Sequence, residues 1–485
     1  MRFALVFVAV AACDGGPKLT PDAGADSNAM ADAPVDAPSG ILGTWRDTFI
    51  TVSGTQSMSA CSAAPSALVV DATTAAVTPY SGACKTDGSF HIMAPANLGA
   101  YYLRVAGALY ETTKHADLDL STDHLGRNDV AAITGVDLTL SMTGLDAWGA
   151  GDVLMAFGAN IGYFQNLSFT SGGPVNGSTN LTGTAPWAGY KIDAAKSDSL
   201  QVVQLGVHST AGGLSYLSLD RSFDVSPFTM TNNTAQNVQG AFTPPSAGTL
   251  ALNVNVNSFN QFATVASPDV SAKTIAGSAY AAPSAEVIPS PSLISFARDS
   301  TGLSALNFGT LDYGDPFPTA WSRFVKVTEA FSVPYTWNNI SGTMNAFMTR
   351  VMTKAEAEAN IIDARLGPPL NPTFDGANAF TATNISPVPM VSWQAPSLGT
   401  ATDYELVVYE VQINGTSLKF SPTLRLSTKQ TSVRVPAGYL LGQRQYMFVI
   451  RARSRDGEDL YGTPLRMGES TSTADTLTAL VTTDS

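Results

Sequence analysis

Histidines and recognisable motifs for acid–base or nucleophilic catalysis are scarce in this sequence of 485 residues. It has four histidines: His91, His115, His124 and His208. None stands in an HExxH zinc motif, and no GxSxG nucleophile elbow occurs. A catalytic triad can assemble from distant positions, but no spacing indicates one. The sequence therefore favours a protein without catalytic activity and predicts no cofactor.

The densest group of carboxylates lies between positions 117 and 129. It consists of Asp117, Asp119, Asp123 and Asp129. Oxygen ligands spaced along a loop can hold Ca²⁺, but the EF-hand spacing fails because Thr122 stands where that loop needs glycine. We favour a solvated acidic loop, with a calcium site at Asp117, Asp119 and Asp123 as the alternative.

A second carboxylate pair, Asp312 and Asp315, lies near Trp321 and Glu329. A glycosidase needs two carboxylates flanking a sugar, often above an aromatic side chain. The stretch Asp312–Pro316 also has the composition of an ordinary turn. We favour the turn and keep the catalytic pair as the alternative.

Three tryptophans stand beside Gly, Pro or Asn in predicted loops: Trp148, Trp187 and Trp337. Exposed rings at such places can stack on sugars or on a protein partner. The alternative, which we favour, is that they pack inside the protein.

The amino terminus predicts export. Residues 3–12 are apolar and follow Arg2, a run too short to span a bilayer but typical of a signal peptide. The string Val10-Ala11-Ala12-Cys13 resembles the lipobox of bacterial lipoproteins. That resemblance implies cleavage after residue 12 and lipidation of Cys13, with the acyl chains holding the protein on a membrane. The alternative is an ordinary secretory signal followed by a chance cysteine.

Residues 13–40 have the composition of a stalk. Pro and Asp recur while large apolar side chains are scarce, so this segment cannot bury enough surface to fold and is predicted to be disordered. Asp14 matches an inner-membrane retention signal of enteric lipoproteins, a rule that is not general. The predicted location is the bacterial cell envelope, with inner and outer membrane both open.

Two cysteines remain if Cys13 is lipidated. Cys61 and Cys84 form an even pair in an oxidising compartment, which favours a disulfide. Two buried free thiols are the alternative. A metal site is disfavoured because neither cysteine has a CxxC or HxxxH partner nearby.

Short alternating runs separated by turn residues predict an all-β chain of tandem sandwiches. In residues 41–113, Asp87-Gly88 predicts a tight turn that leads into a strand with Phe90 and Ile92 on one face. This hairpin, followed by Tyr101 to Val105, resembles the carboxypeptidase regulatory-like β-sandwich, which is non-catalytic. Residues 114–350 predict one large sandwich or two small ones, and 351–368 predict a helical linker formed around Lys354 to Leu366.

Residues 369–485 resemble a fibronectin type III domain, an immunoglobulin-like sandwich. Trp393 matches the core tryptophan of its second strand, and Tyr446 matches its tyrosine corner. Tyr446, Phe448, Ile450 and Ala452 alternate inward, so Arg451 and Arg453 are predicted on a solvated face of mixed charge. The resemblance implies spacing or binding rather than chemistry.

The charge balance narrows the range of partners. The chain has a formal net charge of −13 and a pI near 4.7, which argues against nucleic acid. We expect a lipid-anchored binding, scaffolding or adhesion module whose partners are membrane lipid through Cys13 and an unidentified protein or glycan. The alternative is an exported carbohydrate-active enzyme with its site in the central region and the fibronectin type III domain as an accessory module.

Overall fold

Alternation of apolar and polar residues builds strands along nearly the whole described chain. In Val136–Thr143, for example, Val136, Leu138, Leu140 and Met142 are buried while the residues between them face outward or are half-buried. The computed structural model describes residues 40–485 except 62, 96–97, 226, 286, 288–289, 456 and 467–470. The predicted signal peptide, Cys13 and nearly all of the predicted stalk lie outside the described residues.

The N-terminal module is a β-sandwich with a small extra sheet. One layer has the strand order β10-β1-β7-β6, the other has β5-β4-β8-β9, and β11-β2-β3 form the extra sheet. Residues 118–125 pair with β1 and β2, so this module extends past Thr113. Its strands are β1 Ile41–Thr44, β2 Arg46–Thr51, β3 Gly54–Ser59, β4 Ser66–Val70, β5 Val77–Tyr80, β6 Gly82–Cys84, β7 Ser89–Ile92, β8 Tyr101–Val105, β9 Ala108–Thr112, β10 Leu118–Asp119 and β11 Thr122–Leu125.

The central module holds fourteen described strands and three short helices. Its strands are β12 Val136–Thr143, β13 Val153–Gly158, β14 Tyr163–Asn166, β15 Ser171–Gly172, β16 Leu181–Trp187, β17 Leu200–Ser209, β18 Ser215–Val225, β19 Gln236–Ala241, β20 Ser246–Val254, β21 Ala272–Ala282, β22 Ile294–Asp299, β23 Leu306–Asp315, β24 Ser322–Trp337 and β25 Ile340–Thr353. The helices are α1 Val256–Asn260, α2 Ala263–Ala266 and α3 Lys354–Ala359.

The C-terminal module packs the sheet β27-β26-β29-β32 against a second layer that contains β30, β31, β33, β34 and β35. Its strands are β26 Leu370–Phe374, β27 Ala377–Asn378, β28 Asn384–Ile385, β29 Met390–Gln394, β30 Asp403–Asn414, β31 Ser417–Thr428, β32 Ser432–Arg434, β33 Gln445–Arg455, β34 Thr471–Leu477 and β35 Val481–Thr483. The predicted all-β sandwich class is confirmed.

One long sheet passes through all three modules. It starts with β5-β4-β8-β9 and crosses to the C-terminal module where β9 pairs in parallel with β31. From there it runs through β30, β33 and β34, and β34 pairs with β25 of the central module. It then continues as β24-β21-β22-β18-β17-β13-β14. The sandwiches are therefore joined by pairing between their edge strands, and not only by the chain segments that connect them.

Several strands of this sheet are buried on both faces. On β33, Tyr446 and Phe448 lie in the C-terminal core, while Met447 and Val449 lie in the large central core. On β13, Leu154 lies in a core closed by the sheet β15-β16-β12-β19, and Met155 lies in the central core. The central region therefore has two apolar cores that share one sheet as a common wall.

The predicted helical linker is wrong in extent. Helix α3 begins after Thr353, whose hydroxyl accepts a hydrogen bond from the Glu356 amide, and ends at Ala359. Beyond it, Ile362, Ala364 and Leu366 are buried at every second position, the spacing of an extended chain. Central-core and C-terminal-core contacts therefore override the helix propensity of this segment. No helix in the described part of the chain is long and apolar enough to cross a membrane.

Candidate functional site

The predicted disulfide is confirmed. Cys61 and Cys84 are bonded, with their Cα atoms 5.6 Å apart. The bond ties the segment after β3 to β6, and Cys61 packs in the core of the N-terminal module. The Asp87-Gly88 turn is also present, with Phe90 and Ile92 buried beside it.

The structure disperses the acidic cluster and places cations against it. Asp123 pairs with Arg466 at 3.1 Å, and Asp119 lies 3.9 Å from the same guanidinium. Asp129 contacts Arg127 and Lys196, and Asp117 is exposed. Among the described residues, no group of three His, Cys, Asp or Glu side chains is arranged to hold a metal ion.

The second carboxylate pair is also divided. Asp315 receives two hydrogen bonds from Arg323, at 2.8 and 2.9 Å, whereas Asp312 is exposed at a position of β23 that faces the other way. Trp321 packs against Phe317 inside the central core. The four residues therefore do not share one cleft.

Glu329 lies inside the central core, on the face of β24 that carries Val327 and Phe331. It is fully buried, and its only described side-chain partner is the hydroxyl of Ser300, which donates to Oε1. Burial raises the pKa of Glu329 to about 7, although the Ser300 hydrogen bond opposes that rise.

The histidines occupy separate places. His208 lies 2.9 Å from both carboxylate oxygens of Asp220, and His124 lies near Asp47; each hydrogen bond raises the pKa of its imidazole. His115 contacts the carbonyl of Leu98. His91 is half-buried, with its Nε2 buried against Gly40. Ser218 donates through Oγ to Asp220 and does not contact His208. Ser218, His208 and Asp220 are therefore not arranged as a Ser-His-Asp triad.

Trp393 and Tyr446, the two residues matched to the fibronectin type III pattern, are both buried in the last module. Trp393 is buried in the C-terminal core and meets Tyr404 edge-on, with ring centroids 5.4 Å apart. Tyr446 is buried, and its hydroxyl accepts a 2.8 Å hydrogen bond from the Leu441 amide. This is the contact that a tyrosine corner makes.

The last module was predicted to have a solvated face of mixed charge, and this prediction is wrong at the centre of that face. Arg453 and Arg455 are largely buried, and both pair with the buried carboxylate of Asp403. Arg451 makes two hydrogen bonds to Asp475, at 2.6 and 3.0 Å, and Asp475 also accepts from the Phe347 amide of the central module. Burial raises the pKa of Glu405, but Arg453 and Arg451 outweigh that effect and hold it below its usual value. We call these residues the ion-pair junction: Asp403, Glu405, Arg451, Arg453, Arg455 and Asp475.

The segment after β33 joins the N-terminal module instead of reaching into solvent. The carbonyl of Tyr461 accepts from the Thr112 hydroxyl at 2.8 Å, and the carbonyl of Gly462 accepts from the Asp119 amide at 2.8 Å. Lys429 stands 4.3 Å above the Tyr461 ring. The sequence did not predict the contact between this segment and the N-terminal module. Its only signal was the run of alternating arginines on β33.

A cleft of about 420 Å³ opens on the surface of the central module. Trp148 and Phe169 are both half-buried in its wall, and Val153 and Leu154 of β13 line it from below. Asp152 supplies the charged group of its described lining. Trp187, in contrast, is buried and donates to the Tyr190 carbonyl, as the packing alternative predicted.

The backbone fixes both aromatic side chains of this cleft. Trp148 exchanges hydrogen bonds with the loop that follows β15, donating to the Ser178 carbonyl and accepting from the Gly177 amide. The Phe169 ring packs directly on the backbone of Gly183. A Cβ at position 183 would lie only 2.7 Å from the ring, so this packing requires glycine. Gly173, at φ +115°, holds the turn beside that ring in a conformation that favours glycine. We call this site the aromatic cleft.

Comparison with known proteins gives no family. No protein-family model matches the chain, and no curated protein sequence matches it. Among solved structures, the chicken CNTN1 FN1-FN3 domains are similar over 73% of this chain and 99% of that chain, with 11% identity and a TM-score of 0.14. A Streptococcal ancillary pilin is similar over 63% of this chain and 95% of that chain, with 10% identity and a TM-score of 0.12. These TM-scores are too low to align individual elements, so the all-β assignment stands on the strands themselves.

Proposed function

We propose that the protein is an exported binding and scaffolding protein of the bacterial envelope, anchored by lipid on Cys13. One observation carries the scaffolding part: a single sheet runs through all three modules and fixes them to one another. Modules joined in one sheet and anchored through Cys13 would present one continuous surface outside the membrane, which suits adhesion or display.

The joints between the modules support this role. Edge pairing of β9 with β31 and of β25 with β34 provides backbone hydrogen bonds across both joints. The ion-pair junction lies beside them, and a buried charge that loses its partner is costly, so the modules resist separation. Limited trypsin digestion of residues 40–485 should therefore leave one large fragment. Early cleavage near 114–130 or 360–370 into separate modules would contradict a rigid scaffold.

The anchor is tested by cell fractionation. The full chain should label with an alkyne fatty acid and partition with membranes, whereas Cys13→Ala should be unlabelled and released. Cys61→Ala is the matched control, because it removes a cysteine that the anchor does not use; it should stay on the membrane. Equal membrane retention of the Cys13→Ala protein would overturn the lipid anchor.

A further inference from the structure

We propose that the aromatic cleft binds a neutral saccharide. This inference rests on the proposed binding function and names the class of ligand that one surface takes. It is carried by the wall of the cleft, by two polar groups at its edge and by the charge of its lining.

The wall suits the apolar face of a sugar ring. Trp148 and Phe169 keep part of their surface open, and Pro174 borders the same space. Val153 is half-buried in the same lining. Aromatic and apolar surface left open in one concave place marks a ligand site more often than scattered exposure does.

The polar groups suit sugar hydroxyls. The indole nitrogen of Trp148 donates to no group in the described part of the chain, so its hydrogen is free for a ligand. Asp152 accepts hydrogen bonds from the Gly149 and Val207 amides at 2.8 and 2.9 Å and from the Gln204 side-chain amide at 3.3 Å. Because a carboxylate has about four acceptor positions, Asp152 keeps capacity for a ligand hydroxyl.

The charge of the lining selects against acidic glycans. Asp152 is anionic, and the described lining contains no Lys, Arg or His. An acidic sugar would be repelled, while a neutral sugar brings no charge to desolvate and can stack the apolar face of its ring on the aromatic wall. A cationic peptide could satisfy the same charge, so it enters the test as a competing outcome.

The test uses residues 40–485 on an array of maltohexaose, cellohexaose, laminarihexaose and chitohexaose, with heparin hexasaccharide and a Lys/Arg-rich peptide as competing probes. At least one neutral oligosaccharide should bind, and titration calorimetry should give its Kd. Trp148→Ala should raise that Kd about tenfold or more because the stacking wall is lost. Phe169→Leu should raise it less, because an apolar side chain stays in place.

Trp337→Ala is the matched control, since Trp337 is also half-buried but lies at the end of β24, outside the lining. It should leave the Kd within about twofold. Oxidative footprinting of the unmutated protein supplies a readout that does not depend on variant folding: bound saccharide should protect Trp148 and Phe169 but not Trp337. Binding of heparin or the peptide alone, or saccharide binding that leaves Trp148 unprotected, would overturn the inference. Membrane anchoring through Cys13 is measured separately, so either result can fail without the other.

Discussion

Arg455 donates through Nε to Asp403 Oδ2 at 2.9 Å, and both side chains are at least 98% buried. The same guanidinium donates to the Arg466 carbonyl at 2.8 Å, in the segment that reaches the N-terminal module. The Arg455–Asp403 pair therefore links the sheet of the C-terminal module to the segment after β33, which contacts the N-terminal module.

Removing the carboxylate should destabilise the protein strongly. Asp403→Ala leaves Arg455 buried without its carboxylate partner and leaves Arg453 with Glu405 alone, 3.7 Å away, which we expect to cost about 3–5 kcal/mol. Urea unfolding followed by tryptophan fluorescence measures the change. Glu358→Ala is the control, because its partner Lys354 lies on the partly exposed helix α3 and such pairs contribute about 0–1 kcal/mol. Similar midpoints for the two variants would show that the junction does not stabilise the fold.

Glu329 should make stability depend on pH. Its folded pKa of about 7 exceeds the usual 4.5, so the native state keeps a proton that the unfolded chain releases. Stability should therefore fall as pH rises from about 4.5 to 7, by about 3 kcal/mol, and the loss should persist above that range. Glu329→Gln should abolish this component and be more stable than the wild type at pH 8.

The Ser300 hydroxyl allows a second test of the predicted pH dependence of Glu329. Its hydrogen bond lowers the pKa of Glu329, so Ser300→Ala should extend the falling part of the curve to higher pH. The difference between each variant and the wild type, measured by urea unfolding from pH 4 to 9, isolates Glu329 from other titrating groups. Parallel curves for wild type and Glu329→Gln would contradict a buried, proton-binding Glu329.

The disulfide should stabilise the N-terminal module. It closes a loop with a sequence separation of 23, so its loss in Cys61→Ala/Cys84→Ala should cost about 3 kcal/mol. Proteolysis in urea, followed by mass spectrometry of fragments from residues 40–125, measures the change locally. Thiol labelling of the denatured, unreduced 40–485 chain should find no free cysteine, and labelling at either position would contradict the bond in the isolated protein.

The tyrosine corner should contribute a smaller amount. Tyr446→Phe removes the acceptor of the Leu441 amide and should cost about 1 kcal/mol in urea unfolding. Tyr439→Phe is the matched control, because the Tyr439 hydroxyl has no hydrogen bond in the described part of the chain. Equal effects of the two substitutions would remove the special role of Tyr446.

Much of the local structure was predictable because it depends on neighbours in sequence. The short alternating runs predicted strands along the chain, and Asp87-Gly88 predicted its turn, with Phe90 and Ile92 on one face. The even cysteine pair favoured its bond for a chemical rather than a geometric reason. The aromatic cleft was predictable only in part: Trp148 stood out beside glycine, but Phe169 and Asp152 carried no signal that placed them near it.

The sequence by itself determined the all-β class, the inward faces of β7 and β33 toward their own modules, and the cysteine pairing. The tertiary structure decided which faces are truly exposed and which edges meet. Arg451 and Arg453 were predicted on a solvated face because alternation reports only that two faces differ, not what covers the second one. The central module and the segment after β33 cover that face: Asp475, the partner of Arg451, accepts from the Phe347 amide, and Arg455 donates to the Arg466 carbonyl. The N-terminal module extends the same sheet where β9 pairs with β31, whose paired residues Leu109 and Leu426 are more than 300 positions apart. No local pattern encodes such a contact, because it depends on how three separately patterned modules pack together.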